Sequence, residues 1–490
     1  MTRRDFLLGA TAFGLGGWRL FAMPPGWKHG GKPNLVLGVV SDTHIRANRK
    51  GTFAGDSPRR YLDAALGYFR SRNVDAVVHL GDLAHNGQVE AMQLHAEAWR
   101  KAFPGDRADD GRPVARLFVT GNHDVEGFAY SNYIDRIIPD KEMQKPHLLI
   151  TDMAGNWERI WGEKYEPVWH KEVKGYHFYG RNWDVPENDF ASFVKEDSAR
   201  RGLAGGEAPV FLLSHRRLFY KFRKSVSPLR NAVAFFGHCH YSAANWNTIY
   251  ECRKFPSVQC PSCHAAGHGA ALGDDAYIAK APIACSRESV GDGRQGFVVR
   301  VYDDMLTIER RSFSDGGSLG PDWAMPLGKY DPHPFSKDEL KKVIGEPQFR
   351  EGAKLLVECC QCENVAKSNV TNGQLETGTG NGNNSTMATV KPSATPRLCV
   401  RIPLANGNPD SRVYAYEVVV VGVEGTPKLF KAVYAAGCNM GIGHEPNGGV
   451  TMLEIPKSEL PLGKTLTIAA RPLSSLGTAG KAIAANCNIS

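Results

Sequence analysis

Five short polar motifs, each close behind an apolar run, constrain this chain more than any other feature. Asn34–Val40 reads NLVLGVV and leads into Asp42-Thr43-His44. Val74–Leu80 leads into Gly81-Asp82, and Val114–Thr120 into Gly121-Asn122-His123-Asp124. Pro209–Leu213 precedes His215, and Ala232–Phe236 precedes Gly237-His238-Cys239-His240. Apolar runs that end in polar loops are what a sheet covered on both faces produces. Between the first two runs, Tyr61, Leu62, Ala65, Leu66 and Phe69 mark one face of a helix, and Val89–Phe103 reads as a second helix. The region from Asn34 to Phe313 therefore reads as α/β, closing with a hairpin over Gly296–Phe313 that turns at Asp303 and Asp304. Glu126–Gly175 is aromatic-rich and less regular, an excursion near the rim.

In open α/β sheets, sites form outside the carboxyl ends of the strands, so the five motifs can converge on one edge. Their residue types suit a pair of cations. Two ions held ~3.5–4 Å apart need one anionic bridge and separate ligands for each ion. Asp82 can bridge; Asp42, His44 and His240 can complete one ion; Asn122, His215 and His238 can complete the other. Oxygen and imidazole donors without thiolate favour two ions of Mn, Fe or Zn type. Cys239 alternates with two of these residues and is expected to point away.

The ordered set D-x-H, G-D, G-N-H-[DE], H, G-H-x-H resembles the calcineurin-like metallophosphoesterase superfamily, over residues 34 to 313. The resemblance implies a four-layer α/β/β/α sandwich and hydrolysis of phosphate mono- or diesters by a metal-bridging hydroxide. It also implies catalytic roles for His123, as transition-state stabiliser or proton donor, and for Asp124, which would orient His123. Purple acid phosphatases carry Tyr three residues after the bridging Asp, where this chain has His85, and lack a His matching His44. The chain is thus more similar to bacterial D-x-H phosphodiesterases. His85 and Arg216 are candidate substrate contacts, Arg216 within a basic run that includes Arg217, Lys221, Arg223 and Lys224.

The rest of the chain divides further. Its 490 residues allow about two to four domains. Met1–Met23 carries Arg3-Arg4 before a short Gly- and Ala-rich apolar run, resembling a twin-arginine export signal. That predicts an exported, periplasmic or extracellular protein whose membrane contact is limited to export. The expected division is a signal region over 1–30, a catalytic domain over 31–315, a Gly- and Pro-rich connector over 316–350 and a β-sandwich over 351–490. The last is predicted from short strands such as RLCVRIP and TLTIAA, and its final stretch resembles a fibronectin type III hairpin. Between Ser368 and Thr386, 15 of 19 residues are Gly, Asn, Ser or Thr, which predicts a mobile loop.

The net charge of +8 is mild. It suits a small anionic phosphate ester, and no nucleic acid is expected as a partner. The spacing says nothing of oligomeric state. Cys260-Pro-Ser-Cys263-His264 matches a haem-attachment pattern, but a disulfide or a strand-end loop beside the site is the expected reading. Disulfides among the six cysteines from Cys359 onward are expected in an exported chain. His79, inside a buried run, is expected to be a hydrogen-bonded core residue. The rival function is a catalytically inert protein of the same fold that binds a surface or glycan.

Overall fold

The computed structural model describes residues 21–22, 29–47, 57–129, 138–218, 222–240, 243, 249–251, 255–264, 294–313, 316–319, 322–327, 346–360, 397–403, 405–406, 413, 415–422, 427–434, 451–460, 464–473 and 479–489. Most of the predicted signal region, the Ser368–Thr386 segment, Lys221, Cys252, Cys285, Cys362 and Cys438 lie outside the described residues. Among the described residues no helix is long and apolar enough to cross a membrane.

Two sheets dominate the first two-thirds of the chain. The first contains β1 (Phe21–Ala22), β2 (Leu35–Val40), β3 (Ala76–Leu80), β4 (Ala115–Val119), β11 (Gln295–Val301), β12 (Met305–Ser312) and β13 (Trp323–Pro326), in the order β1-β13-β12-β11-β2-β3-β4. The second contains β5 (Val168–Val173), β6 (Tyr176–Arg181), β7 (Val210–Ser214), β8 (Ala232–Phe236), β9 (Ile249–Glu251) and β10 (Pro256–Gln259), in the order β5-β6-β7-β8-β10-β9. Strands β2, β3 and β4 run parallel, as do β6, β7, β8 and β10.

The alternation of side chains along these strands builds three stacked cores. Leu35, Leu37 and Val39 of β2 point at the second sheet, meeting Phe211, Leu213, Val233 and Phe235 in one cluster. Val36 and Val40 point the other way, into a cluster with the helices α1 (Ser57–Ser71), α2 (Val89–Ala102) and α4 (Met153–Trp161). On the far side of the second sheet, Leu212 and Ala234 pack with Phe190 and Val194 of α5 (Glu187–Arg200). Opposite faces of one strand thus feed different cores, and the result is the expected four-layer α/β/β/α sandwich. Gly38 is where the first helix layer comes closest: a Cβ there would collide with the ring of Phe69. The short helix α3 (Asn122–Val125) buries Val125 and carries site residues.

Several elements depart from expectation. The excursion after Glu126 holds α4 and the edge strand β5. The helix α5 follows Trp183, where no regular element was expected. Trp323–Pro326, inside the expected connector, pairs antiparallel with β12 and joins the first sheet because Trp323 and Met325 are apolar enough to enter the inter-sheet core.

The C-terminal third forms two antiparallel sheets around a separate cluster. One contains β15 (Leu356–Cys360), β16 (Arg397–Ile402) and β20 (Thr451–Pro456). The other contains β18 (Ala415–Val421), β19 (Pro427–Tyr434), β21 (Lys464–Leu473) and β22 (Ile483–Ile489), with β21 and β22 pairing at the end of the chain as a hairpin. A two-residue pair, β14 (Gln348–Phe349) with β17 (Ala405–Asn406), stands beside them, and Phe349 packs against this cluster.

Candidate metal centre

All five motifs lie just beyond the carboxyl ends of parallel strands. Asp42 follows β2, Asp82 follows β3 and Asn122 follows β4; His215 follows β7, and His238 and His240 follow β8. The loops are laced together by their backbones: Asp42 donates its N–H to the Gly81 carbonyl, and His44 to the Asp82 carbonyl. Asp42, His44, Asp82, His238 and His240 all have positive φ, between 47° and 70°. For residues with a Cβ this conformation is strained and is held only where the surroundings over-determine it. Glycines make room at the same points. A Cβ on Gly121 would collide with Asp82 Oδ1, and one on Gly237 with Ser41 Oγ.

The side chains form two groups that share one carboxylate. In the first, His240 Nε2 lies 3.0 Å from Asp42 Oδ1 and 3.2 Å from His44 Nε2. His44 Nε2 is 3.6 Å from Asp82 Oδ2. In the second, Asn122 Oδ1 lies 3.1 Å from His215 Nε2 and 3.0 Å from His238 Nδ1, and those two ring nitrogens are 3.2 Å apart. Asp82 Oδ2 is 3.2 Å from His215 Nε2, so the same oxygen faces both groups. Two nitrogens bound to one ion at ~2.0–2.1 Å in tetrahedral geometry stand about 3.4 Å apart. Both imidazole pairs are close to that spacing.

Electrostatics ask for positive charge at two places. Asp42 and Asp82 are 0% and 1% exposed, and among the described residues neither meets a Lys or Arg. Burial opposes a charge on His215, but Asp82 and then Asp42 override it and raise the ring to about 9. Burial likewise opposes His240, and Asp42 raises it. Burial followed by His215 lowers His238 to about 4, and burial followed by His240 holds His44 well below the usual range. One imidazole in each group is thus drawn toward its protonated form by the buried carboxylates. The donor chemistry and spacing fit two cations. His215 is oriented for ligation by its Nδ1, 2.6 Å from the Leu80 carbonyl, which leaves Nε2 facing the site.

His123 enters from the turn α3. Its N–H donates to Asp82 Oδ1 at 2.8 Å, and its Nδ1 is 2.7 Å from the His85 carbonyl oxygen. Asp124, expected to orient His123, has its described partners in the backbone. The Asp124 carboxylate accepts the N–H groups of Leu83, Ala84 and Gly121, pinning the Asp82 loop to α3. Burial, then Asp82, pushes Asp124 up to about 7 against those three donors. Adjacent residues on a helical turn point apart, so Asp124 turns inward while His123 faces the site.

Of the two predicted substrate contacts, His85 stands against the centre and Arg216 lies over Trp183 beside it. His85 lies with Nδ1 3.1 Å from His44 Nδ1, and its ring stacks on His123 with centroids 5.0 Å apart. His44, His85 and His123 each bring a ring nitrogen to within 4.8 Å of the others. Arg216, which is exposed, places its guanidinium 4.3 Å from the centre of the Trp183 ring. Trp183 stands 5.6 Å from the His238 ring and 5.7 Å from that of His215, and its Nε1 donates to Glu126.

Sequence reasoning missed Trp183, which follows an unpredicted strand, and the role of Ser262 and His264. Ser262 Oγ donates to the Asp42 carbonyl, and the His264 ring lies 5.4 Å from that of His44. The Cys260–His264 piece is therefore a strand-end loop beside the site. Cys260 and Cys263 are unbridged; Cys260 is buried between the sheets and Cys263 under the helices. His79 is a core residue as expected, with Nε2 3.1 Å from Thr43 Oγ1.

Residues 35–242 match the family model of calcineurin-like phosphoesterases, a span that includes every site residue expected from the sequence but not Ser262 or His264. No curated protein matches the chain. Among solved structures the chain is similar to a dimetal phosphatase from Danio rerio, with 12% identity over 61% of this chain and 100% of that one and a TM-score of 0.34. It is also similar to a purple acid phosphatase from yellow lupin (Lupinus luteus) seeds, with 15% identity over 60% of this chain and 54% of that one and a TM-score of 0.37. A 5'-nucleotidase precursor from Thermus thermophilus matches with 12% identity over 63% of this chain and 58% of that one and a TM-score of 0.28. The layered sheets and the convergent motif loops lie within the same stretch of chain, and residues 35–242 are similar to a calcineurin-like phosphoesterase domain.

Proposed function

We propose that this protein is a binuclear metal-dependent phosphoesterase acting on small phosphate mono- or diesters. Asp42, His44 and His240 would hold one ion, Asn122, His215 and His238 the other, with Asp82 placed to serve both. The observation that carries this is Asp82 Oδ2, which faces an imidazole of each group at 3.6 and 3.2 Å. When bound, two such ions supply Lewis acidity toward the phosphate oxygens and an activated water as nucleophile. The chain's own residues do the rest. His123, its Nδ1 fixed on the His85 carbonyl, protonates the leaving oxygen. Arg216, seated on Trp183, draws the anionic ester to the mouth.

The finer reading includes a D-x-H type of phosphodiesterase, for which His44 and His85 argue, and export through the Arg3-Arg4 signal to the periplasm or beyond. It also includes a separate C-terminal β-domain of fibronectin type III kind, supported by two antiparallel sheets on their own core. The test is hydrolysis of p-nitrophenyl and bis-p-nitrophenyl phosphate with metal analysis, in the native protein and in Asp82→Ala. We expect two ions and turnover in the native protein, and loss of both ions and of activity in Asp82→Ala. Metal-replete protein that turns over neither ester would favour the inert binding role, and two retained ions in Asp82→Ala would refute the bridge.

A further inference from the structure

Arg216 is an exposed cation seated on an aromatic ring rather than on an acid. Among the described residues its guanidinium has no ion pair and no hydrogen bond, and the contact that holds it is the Trp183 ring, 4.3 Å away. Trp183 also borders the second ligand group, 5.6 Å from the His238 ring and 5.7 Å from that of His215. One aromatic ring therefore separates five unused N–H donors and a positive charge from two of the residues that would hold an ion.

Trp183 does not fill a core. It is half-buried and, among the described residues, belongs to none of the four apolar clusters. It is nevertheless fixed from several directions. Its backbone N–H donates to Thr120 Oγ1 at 3.2 Å, and its indole Nε1–H to Glu126 Oε1 at 2.9 Å. Asn182, just before it, accepts the Thr120 N–H at 2.8 Å and donates its Nδ2–H to the Glu166 carbonyl at 2.8 Å. Asp184, just after it, accepts from the Tyr165 hydroxyl at 2.9 Å. Thr120 follows β4 and Glu126 follows α3, so the ring is tied to the segment that carries Asn122 and His123. A large aromatic side chain held this firmly outside any core, with a cation on its face, is a platform for that cation.

We propose that Trp183 is a positioning residue, which holds the Arg216 guanidinium ready to bond free oxygens of the substrate's phosphate beside the second ion; this rests on the proposed metal centre. A free arginine side chain loses rotamer freedom when it binds an anion, and a ring that has already ordered it removes part of that cost. A guanidinium suits the task, because its planar fork offers paired donors to two phosphate oxygens while its face stacks on the indole without using them. Arg216 then acts by direct contact with the bound ester, beyond its attraction of anions to the mouth.

The test is a double-mutant cycle on phosphate binding. Metal-loaded full-length protein is titrated calorimetrically with inorganic phosphate. Arg216→Met should weaken binding by about 10- to 100-fold, and Trp183→Leu by about 3- to 30-fold, each with two ions retained. Because Trp183 acts through Arg216, adding Trp183→Leu to Arg216→Met should change the affinity by less than about twofold. Trp183→Phe, which keeps a ring face, should retain most of the native affinity. Native affinity in Arg216→Met or in Trp183→Leu, or losses that multiply in the double variant, would overturn the positioning role. So would loss of an ion from Trp183→Leu, which would make the ring a support for His215 and His238. Failure of metal-replete native protein to bind phosphate would instead overturn the metal-centre reading, and the role of Trp183 with it. Should Trp183→Leu fold poorly, Trp183→Met also lacks a ring and is expected to bind phosphate as weakly, and native affinity there would overturn the role equally.

Discussion

His123 and Asp124 are neighbours in the chain with unrelated work. The turn that carries them points one at the centre and the other at three backbone donors. His123 lies outside the ligand groups that share Asp82, so His123→Ala should retain both ions while slowing catalysis by about 10²- to 10⁴-fold. The loss should grow with the basicity of the leaving group. An alkyl ester, whose alkoxide needs its proton, should suffer most; a p-nitrophenyl ester should suffer less. The ratio of the two rate losses, measured alongside metal content, decides the matter. Equal losses would mean that His123 only stabilises charge on the phosphoryl group. Loss of metal would make it a ligand, through the grouping with His44 and His85.

At the scale of elements, packing of the outer layers decides stability. Phe69 of α1 is fully buried and rests on the bare backbone of Gly38 in β2. Phe69→Ala should cost about 3–5 kcal/mol, since Gly38 offers no side chain to fill the space. A urea-melting loss below about 1 kcal/mol would mean that α1 collapses onto the strand. On the other face, Asp197 of α5 is buried and accepts from the Tyr179 hydroxyl at 3.0 Å and from Arg200 and Arg201. Burial opposes its charge, but Arg201, Arg200 and Tyr179 prevail and hold the carboxyl down at about 2. A depressed acid contributes stability above its unfolded value of about 3.9 and loses it as pH falls through the folded one. Asp197→Asn should therefore be less stable than the native protein at pH 7, with the gap narrowing below about pH 4. A gap in urea midpoint that stays constant between pH 7 and 3 would assign the effect to packing instead.

Across the whole molecule, the chemistry and the C-terminal sheets occupy different stretches of chain. Every candidate site residue precedes residue 265, while the cluster of the last two sheets includes Phe349 and otherwise begins at Leu355. We expect removal of Lys354–Ser490 to leave two bound ions per chain, whatever it does to stability or substrate preference. Metal analysis of the soluble truncated protein checks this, and loss of the ions would show that the C-terminal region completes the site.

The motifs and the apolar runs before them were legible from local order alone. A run such as NLVLGVV can only be a strand with both faces buried, and the polar residues after it must emerge at its carboxyl end. That much determined the α/β layers and which residues gather at one edge of them. Elements with mixed patterns were not legible. The edge strand β5 and the helix α5 carry many charged residues because only part of each is buried, so neither shows a clean period. Contacts between distant segments were decided by the tertiary structure alone. Asp124 serves the backbone because a helical turn sets neighbouring side chains apart. Cys260 and Cys263 enter different cores because the loop between them crosses the end of the first sheet. His85 and Trp183 gain chemical meaning only from the imidazoles that folding brings beside them, and spacing along a chain carries no record of such neighbours.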